Sequence, residues 1–174
     1  MDRMYKITTD NTADLPYSFY KENDIDFLFL PYTLEEKQYR LENELPVAGF
    51  YDRMRNGSMP TTSQYNAENA AGLWEPYLEQ GVDILHIAFS SGLSGSYNSA
   101  RLAAEDMREK YPERKITVVD SLSASLGEGM LVWYAAKLKR EGKTMDEVAL
   151  WLEENKLHLC HVFTVNDLFH LYRG

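Results

Sequence analysis

Val82-Asp83-Ile84-Leu85-His86-Ile87-Ala88-Phe89 runs directly into Ser90-Ser91-Gly92-Leu93-Ser94-Gly95-Ser96, and from there into a stretch of helical period. The first eight residues are almost continuously apolar, the pattern of a strand covered on both faces. The next seven are small and polar. Ala100, Ala103, Ala104 and Met107 then recur at the i, i+3, i+4, i+7 spacing of one buried helix face. Strand, polar turn and helix in this order make the repeating unit of a parallel sheet.

The same alternation continues on both sides. Upstream, residues 5–9 predict a short strand ending in Thr8-Thr9-Asp10-Asn11-Thr12, and Asp14-Leu15-Pro16 predicts a helix with Asp14 as N-cap and Pro16 in its first turn. Residues 27–30 predict a buried strand and residues 38–41 an edge strand. Phe50, Tyr51 and Met54 sit at helical spacing before the Asn56-Gly57 stop. Pro60-Thr61-Thr62-Ser63-Gln64 is a hydroxyl-rich loop before a helix carrying Ala67, Ala70, Ala71, Trp74, Tyr77 and Leu78, which Pro76 is expected to kink or break. Downstream, residues 116–119 predict a strand closed by Asp120-Ser121. Met130, Leu131, Tyr134, Ala135 and Leu138 mark a helix ending at Gly142, and Thr144-Met145-Asp146-Glu147 is a capping box. Residues 157–164 predict a last strand and 167–172 a last short helix. The expected fold is α/β, three layers (α/β/α) around a mostly parallel sheet.

At 174 residues the chain is long enough for a sizeable core, and 44% hydrophobic with 26% charged residues is ordinary globular composition. A net charge of −9, with no basic run beyond Lys137-Leu138-Lys139-Arg140, argues against nucleic acid as a partner. No apolar run approaches the ~20 residues of a membrane span. The first twenty residues are polar and acidic, unlike a signal peptide, and the single cysteine, Cys160, fits a reducing compartment, so a cytoplasmic location is expected.

Open α/β sheets bind ligands beyond the carboxyl ends of their strands. The 8–12, 90–96 and 120–125 loops fall there, and the 60–64 loop adds a fourth. Three lead straight into helices, whose free N–H groups and dipole favour an anion. Hydroxyls and glycine amides therefore point to recognition of a carboxylate or phosphate without metal. The competing reading is that these Ser and Thr residues merely cap helices.

Other signals are weaker. Gly127-Glu128-Gly129-Met130-Leu131-Val132 imitates a dinucleotide fingerprint but has Val132 where the third glycine belongs, and no Walker-type loop occurs. Gly92-Leu93-Ser94-Gly95-Ser96 approximates a nucleophile elbow without its closing glycine and without an evident base. On a strand, His158 and Cys160 would face away from His161, against a shared metal. His86 reads as a hydrogen-bonded core histidine, and His170 falls on the expected last helix.

At these loops the sequence resembles the DegV family of bacterial fatty-acid-binding proteins. The resemblance rests on Asp10-Asn11-Thr12-Ala13-Asp14-Leu15, the 60–64 loop, Ser90 through Ala100, and Val119-Asp120-Ser121, in family order across nearly the whole chain. It implies that residues 1–174 are the N-terminal α/β domain of a two-domain protein whose C-terminal domain, absent from this chain, supplies a further histidine and half of an acyl tunnel. It implies a long-chain fatty acid as ligand, no cofactor, and a carboxylate held by Thr62 and Ser94 with Thr61, Ser63 and the Gly95 amide as neighbours. It also implies a non-catalytic role, the lipid-binding subunit that presents its ligand to a separate fatty acid kinase. Three departures stand out: Asn11 where the family usually has Ser, Tyr65-Asn66 for Pro-Ser, and an end at Gly174. The exposed inter-domain face is expected to favour homo-oligomers. The alternatives are a serine-dependent acyl hydrolase using Ser94 and a small anion- or phosphate-binding module.

Overall fold

Every residue of Tyr5–Asp10 (β1) and Asp83–Ala88 (β6) is buried, as in a parallel strand with helices on both faces. The computed structural model describes residues 4–165 together with Leu168 and Tyr172. Ile25–Leu28 (β2) flanks β1, and Ile116–Asp120 (β7) flanks β6, giving an all-parallel sheet of order β2-β1-β6-β7. Ile7 pairs with Ile25 on one side and with Leu85 on the other, and Ile87 pairs with Val119.

Period-2 alternation divides the core into two layers. Ile7, Leu85, Ile87 and Val119 point to the layer made by Tyr17–Glu22 (α1), Leu126–Arg140 (α5) and Met145–Asn155 (α6). Ile84 and Ile116 point to the layer made by Ala67–Glu79 (α3) and Ser96–Lys110 (α4), where Ala100, Ala103 and Ala104 let α4 approach closely. This is the expected α/β/α sandwich. A second, antiparallel sheet, which sequence reasoning reached only as an edge strand at 38–41, is built from Tyr32–Leu34 (β3), Lys37–Tyr39 (β4) and Thr61–Thr62 (β5) in the order β4-β3-β5, with Val47–Arg55 (α2) following its hairpin.

The chain leaves β1 for β2 on one side and then crosses to β6 on the other. The switch point therefore opens at the carboxyl ends of β1 and β6, beside Asp10 and Phe89.

Four local expectations need correction. Asp14 is no N-cap: it closes a 3-10 turn (Asn11–Ala13) with φ 52°, its N–H bonded to Asn11 O, and α1 begins only after Pro16. Strand β2 lies two residues earlier than its apolar run, because register with β1 places Ile25 and Leu28 in the core. Helix α3 continues through Pro76 to Glu79. The proline ring would press on the carbonyl four residues back, and that residue is the exposed, side-chain-free Gly72. Residues 157–164 form a 3-10 turn (Lys156–His158) and irregular chain with Val162 and Phe163 exposed. Their β-propensity finds no pairing strand among the described residues, and a strand needs one. The helix expected at 167–172, with His170, lies outside the described residues apart from Leu168 and Tyr172.

Candidate functional site

The polar loops converge on the switch point and are tied to one another. Asp10, at the end of β1, is completely buried, and its Oδ2 accepts from Phe89 N at 2.8 Å, fixing the start of the 90–96 loop. Asp120, at the end of β7, accepts from Ser91 N and Leu122 N, each at 3.1 Å. Ser90 N donates to Ser123 O at 3.1 Å. Leu122 and Ser125 hold positive φ, 50° and 51°, in the turn that feeds α5. Side-chain-bearing residues take that conformation only where the surroundings over-determine it.

Thr61 and Thr62 pair with Thr33 and Tyr32, and Ser63 N donates to Pro31 O at 2.9 Å. Thr61, Thr62 and Ser63 are exposed. Gln64 reaches across to the other loop: a Cβ added to Gly95 would lie 1.9 Å from Gln64 Oε1. Ser94 is half-buried; its Oγ accepts from Ser96 N at 3.1 Å and lies 2.9 Å from Ser96 Oγ. Ser94 thus satisfies the Ser96 N–H at the start of α4, close to what the competing reading supposed, although Gly95 is the N-cap residue. Its hydroxyl proton is free for an acceptor when Ser96 Oγ is the donor between the two hydroxyls. No His, Lys or carboxylate among the described residues is bonded to it.

Two openings lie nearby. One, of about 370 Å³, is apolar and lined by Leu15, Leu126, Gly129, Met130, Trp133 and Tyr134. The other, of about 490 Å³, includes Ser63, Gln64, Asn66, Gln38 and Arg40. Thr62, Ser94 and Gly95 line neither. Arg40 is a residue sequence reasoning missed. Nothing local marks it, since only the β3–β4 hairpin folding over the 60–64 loop brings it there.

Behind the loops lies a buried polar column. Trp74 Nε1 donates to Thr8 Oγ1 at 3.2 Å, Thr8 Oγ1 lies 3.0 Å from His86 Nδ1, and His86 Nε2 lies 3.3 Å from the Tyr65 hydroxyl and 3.5 Å from Asp10 Oδ1. The expectation of a hydrogen-bonded core His86 holds. Asp10 Oδ1 has no hydrogen-bond partner among the described residues. Burial first, and the charge of Asp10 second, push the Tyr65 phenol far above its ordinary range. Glu128, on α5, is completely buried and accepts from Thr12 Oγ1 at 2.8 Å. Burial first, then the charge of Asp10, push its carboxyl well above the usual range. Among the described residues no group of three or more His, Cys, Asp or Glu side chains is placed to hold a metal ion, and no helix is long and apolar enough to cross a membrane. His161 packs its ring on Gly127, and its Nε2 lies 3.2 Å from Ser123 Oγ, placing it at the start of α5.

Residues 4–174 match the family described as "Uncharacterised protein, DegV family". The chain belongs to the DegV family. A DegV domain-containing protein of Clostridium perfringens is 47% identical over 174 residues, spanning 99% of this chain and 60% of the relative. A fatty-acid-binding DegV family protein of Thermus thermophilus superposes with a TM-score of 0.86 at 33% identity, over 99% of this chain and 60% of that one. DegV of Bacillus subtilis, a fatty acid binding protein, gives 0.81 at 30% identity with the same coverage. The chain spans about 60% of the length of each of these DegV proteins.

Proposed function

We propose that this DegV protein binds a long-chain fatty acid, with the carboxylate on Thr62 and Ser94 and with Thr61, Ser63 and the Gly95 amide beside them. The observation that carries this reading is the contact of Gln64 with Gly95, which brings the 60–64 loop against the start of α4 at the carboxyl edge of the sheet. The fatty-acid-binding relatives from Thermus thermophilus and Bacillus subtilis, which share the fold over 99% of this chain, supply the ligand class. Hydroxyls and helix N–H groups recognise the charged end. The tail supplies most of the affinity, on the order of 10 kcal/mol for a sixteen-carbon acid at about 0.8 kcal/mol per buried CH₂.

In this reading residues 1–174 are the N-terminal domain of a two-domain protein, and the tail lies between the domains. The protein acts without catalysis of its own, in the cytoplasm, and offers the bound acid to a separate fatty acid kinase. Native mass spectrometry of the purified whole protein tests the ligand. A co-purifying fatty acid, displaced by palmitate, supports the reading, and a protein that takes up no palmitate overturns it.

A further inference from the structure

Glu128 falls on the buried stripe of α5 together with Leu131, Val132, Ala135 and Ala136, a place for an apolar side chain. Its bonding pattern is informative. Thr9 Oγ1 lies 2.8 Å from Ile87 O and 3.3 Å from Glu128 Oε1, yet a threonine hydroxyl has a single proton to give. The carbonyl at 2.8 Å, which has no proton of its own, takes it. The contact with Glu128 then needs a proton from the glutamate. Oε2, by contrast, accepts from Thr12 Oγ1 at 2.8 Å.

The Thr12 hydroxyl, and any bond given by Thr9, favour a charged Glu128, but the titratable groups that face it do not. They are Asp10 of β1, Asp14 after the 3-10 turn, Tyr20 of α1 and Tyr65 before α3. Among the described residues the one ion-pair contact of either buried acid is that of Asp10 with His86. The helix dipole favours a first-turn carboxylate, but complete burial without a cation opposes it more strongly.

We propose that Glu128 is a positioning residue that works as a neutral acid, its Oε1–H donating to Thr9 and its Oε2 holding Thr12, so that the Asn11–Ala13 turn is clamped onto α5. The clamp extends to the site. Asn11, next to Thr12, accepts from Leu30 N at 2.9 Å, and the following carbonyl, Pro31 O, accepts from Ser63 N at 2.9 Å. Gly129 lets the turn approach, since a Cβ there would lie 2.4 Å from Ala13 O. The relevance to fatty-acid binding rests on the function proposed above. The clamp itself does not.

The test compares the protein with Glu128→Gln, whose amide can donate to Thr9 and accept from Thr12 without titrating. In a carboxyl-carbon NMR titration, the resonance absent from Glu128→Gln is expected in its protonated position at neutral pH. Amide-exchange protection at Leu30 and Ser63 is expected to fall by up to about tenfold per pH unit in the wild type as pH rises from the ordinary carboxyl range to the native titration of Glu128, to level off above it, and to stay level throughout in Glu128→Gln. An ionised Glu128 at neutral pH, or the same pH profile in both proteins, overturns the proposal. Neither readout uses a ligand, so failure to bind palmitate counts against the fatty-acid reading alone.

Discussion

Gln64 lies across Gly95, so the loop that carries Thr61, Thr62 and Ser63 touches the turn that carries Ser94. Thirty-one residues separate these two in the chain, and α3 and β6 are interposed. The contact brings together two loops that would otherwise each be a helix entrance.

Ser94→Ala separates capping from binding. Loss of the bond from Ser96 N should cost about 0.5–2 kcal/mol of stability. Palmitate affinity in the whole protein should fall roughly ten- to a hundredfold, since a hydrogen bond to a charged group contributes about 1.5–3 kcal/mol. Calorimetric titration measures the second effect, and unchanged affinity removes Ser94 from the site.

Hexadecanol should bind at least about tenfold more weakly than palmitate. Both tails bury the same surface, but only the acid offers an anion to hydroxyls and helix N–H groups. Equal affinities in a displacement assay would mean that the tail alone drives binding.

The stability difference between wild type and Glu128→Gln should depend on pH in one direction. The Glu128 carboxyl is raised above its ordinary value of 4.5, first by burial and then by Asp10. Between the unfolded and folded pKa values the native state holds a proton that the unfolded chain has lost. Wild-type stability therefore falls relative to the variant as pH rises, by about 1.4 kcal/mol per pH unit, and the difference levels off above the folded pKa. Urea unfolding from acidic to alkaline pH measures it, and a flat difference contradicts it.

Gly129→Ala should destabilise the protein although it improves helix propensity. The propensity gain is about 1 kcal/mol. A Cβ at 2.4 Å from Ala13 O forces backbone to move, at about 1–3 kcal/mol for overpacking. A rise in melting temperature would show that the 3-10 turn yields freely.

Residues 1–174 expressed alone should fold, self-associate and bind palmitate poorly. Leu126, Met130 and Trp133 are exposed beside the apolar groove on α5, at 67%, 49% and 40% of their full surface. Such a patch favours association. Light scattering and a palmitate titration check this, and a monomer that binds as tightly as the whole protein contradicts it.

The alternation of apolar strands with helices of 3.6 period made the parallel sheet legible, most clearly at β6, which is apolar apart from Asp83 and His86, whereas β1 is as fully buried with Lys6, Thr8, Thr9 and Asp10 among its residues. The capping box at Thr144 and the alanine stripe of α4 are likewise local, and both stand where the sequence puts them. The site loops were legible as strand-to-helix turns rich in Ser, Thr and Gly. Tertiary structure decided the rest. Residues 157–164 have the composition of a strand, but pairing is a property of a neighbour, and β7 offers them none among the described residues. Arg40 reaches the site only through a hairpin. Glu128 could have been noticed as an acid at i−3 and i−4 to Leu131 and Val132, on the buried stripe of its helix. Its protonation, however, depends on Thr9, Thr12 and Asp10, which lie more than a hundred residues away in the chain. Periodicity encodes which face of an element is buried; which polar groups meet there, and with how many protons among them, is settled only when the elements pack.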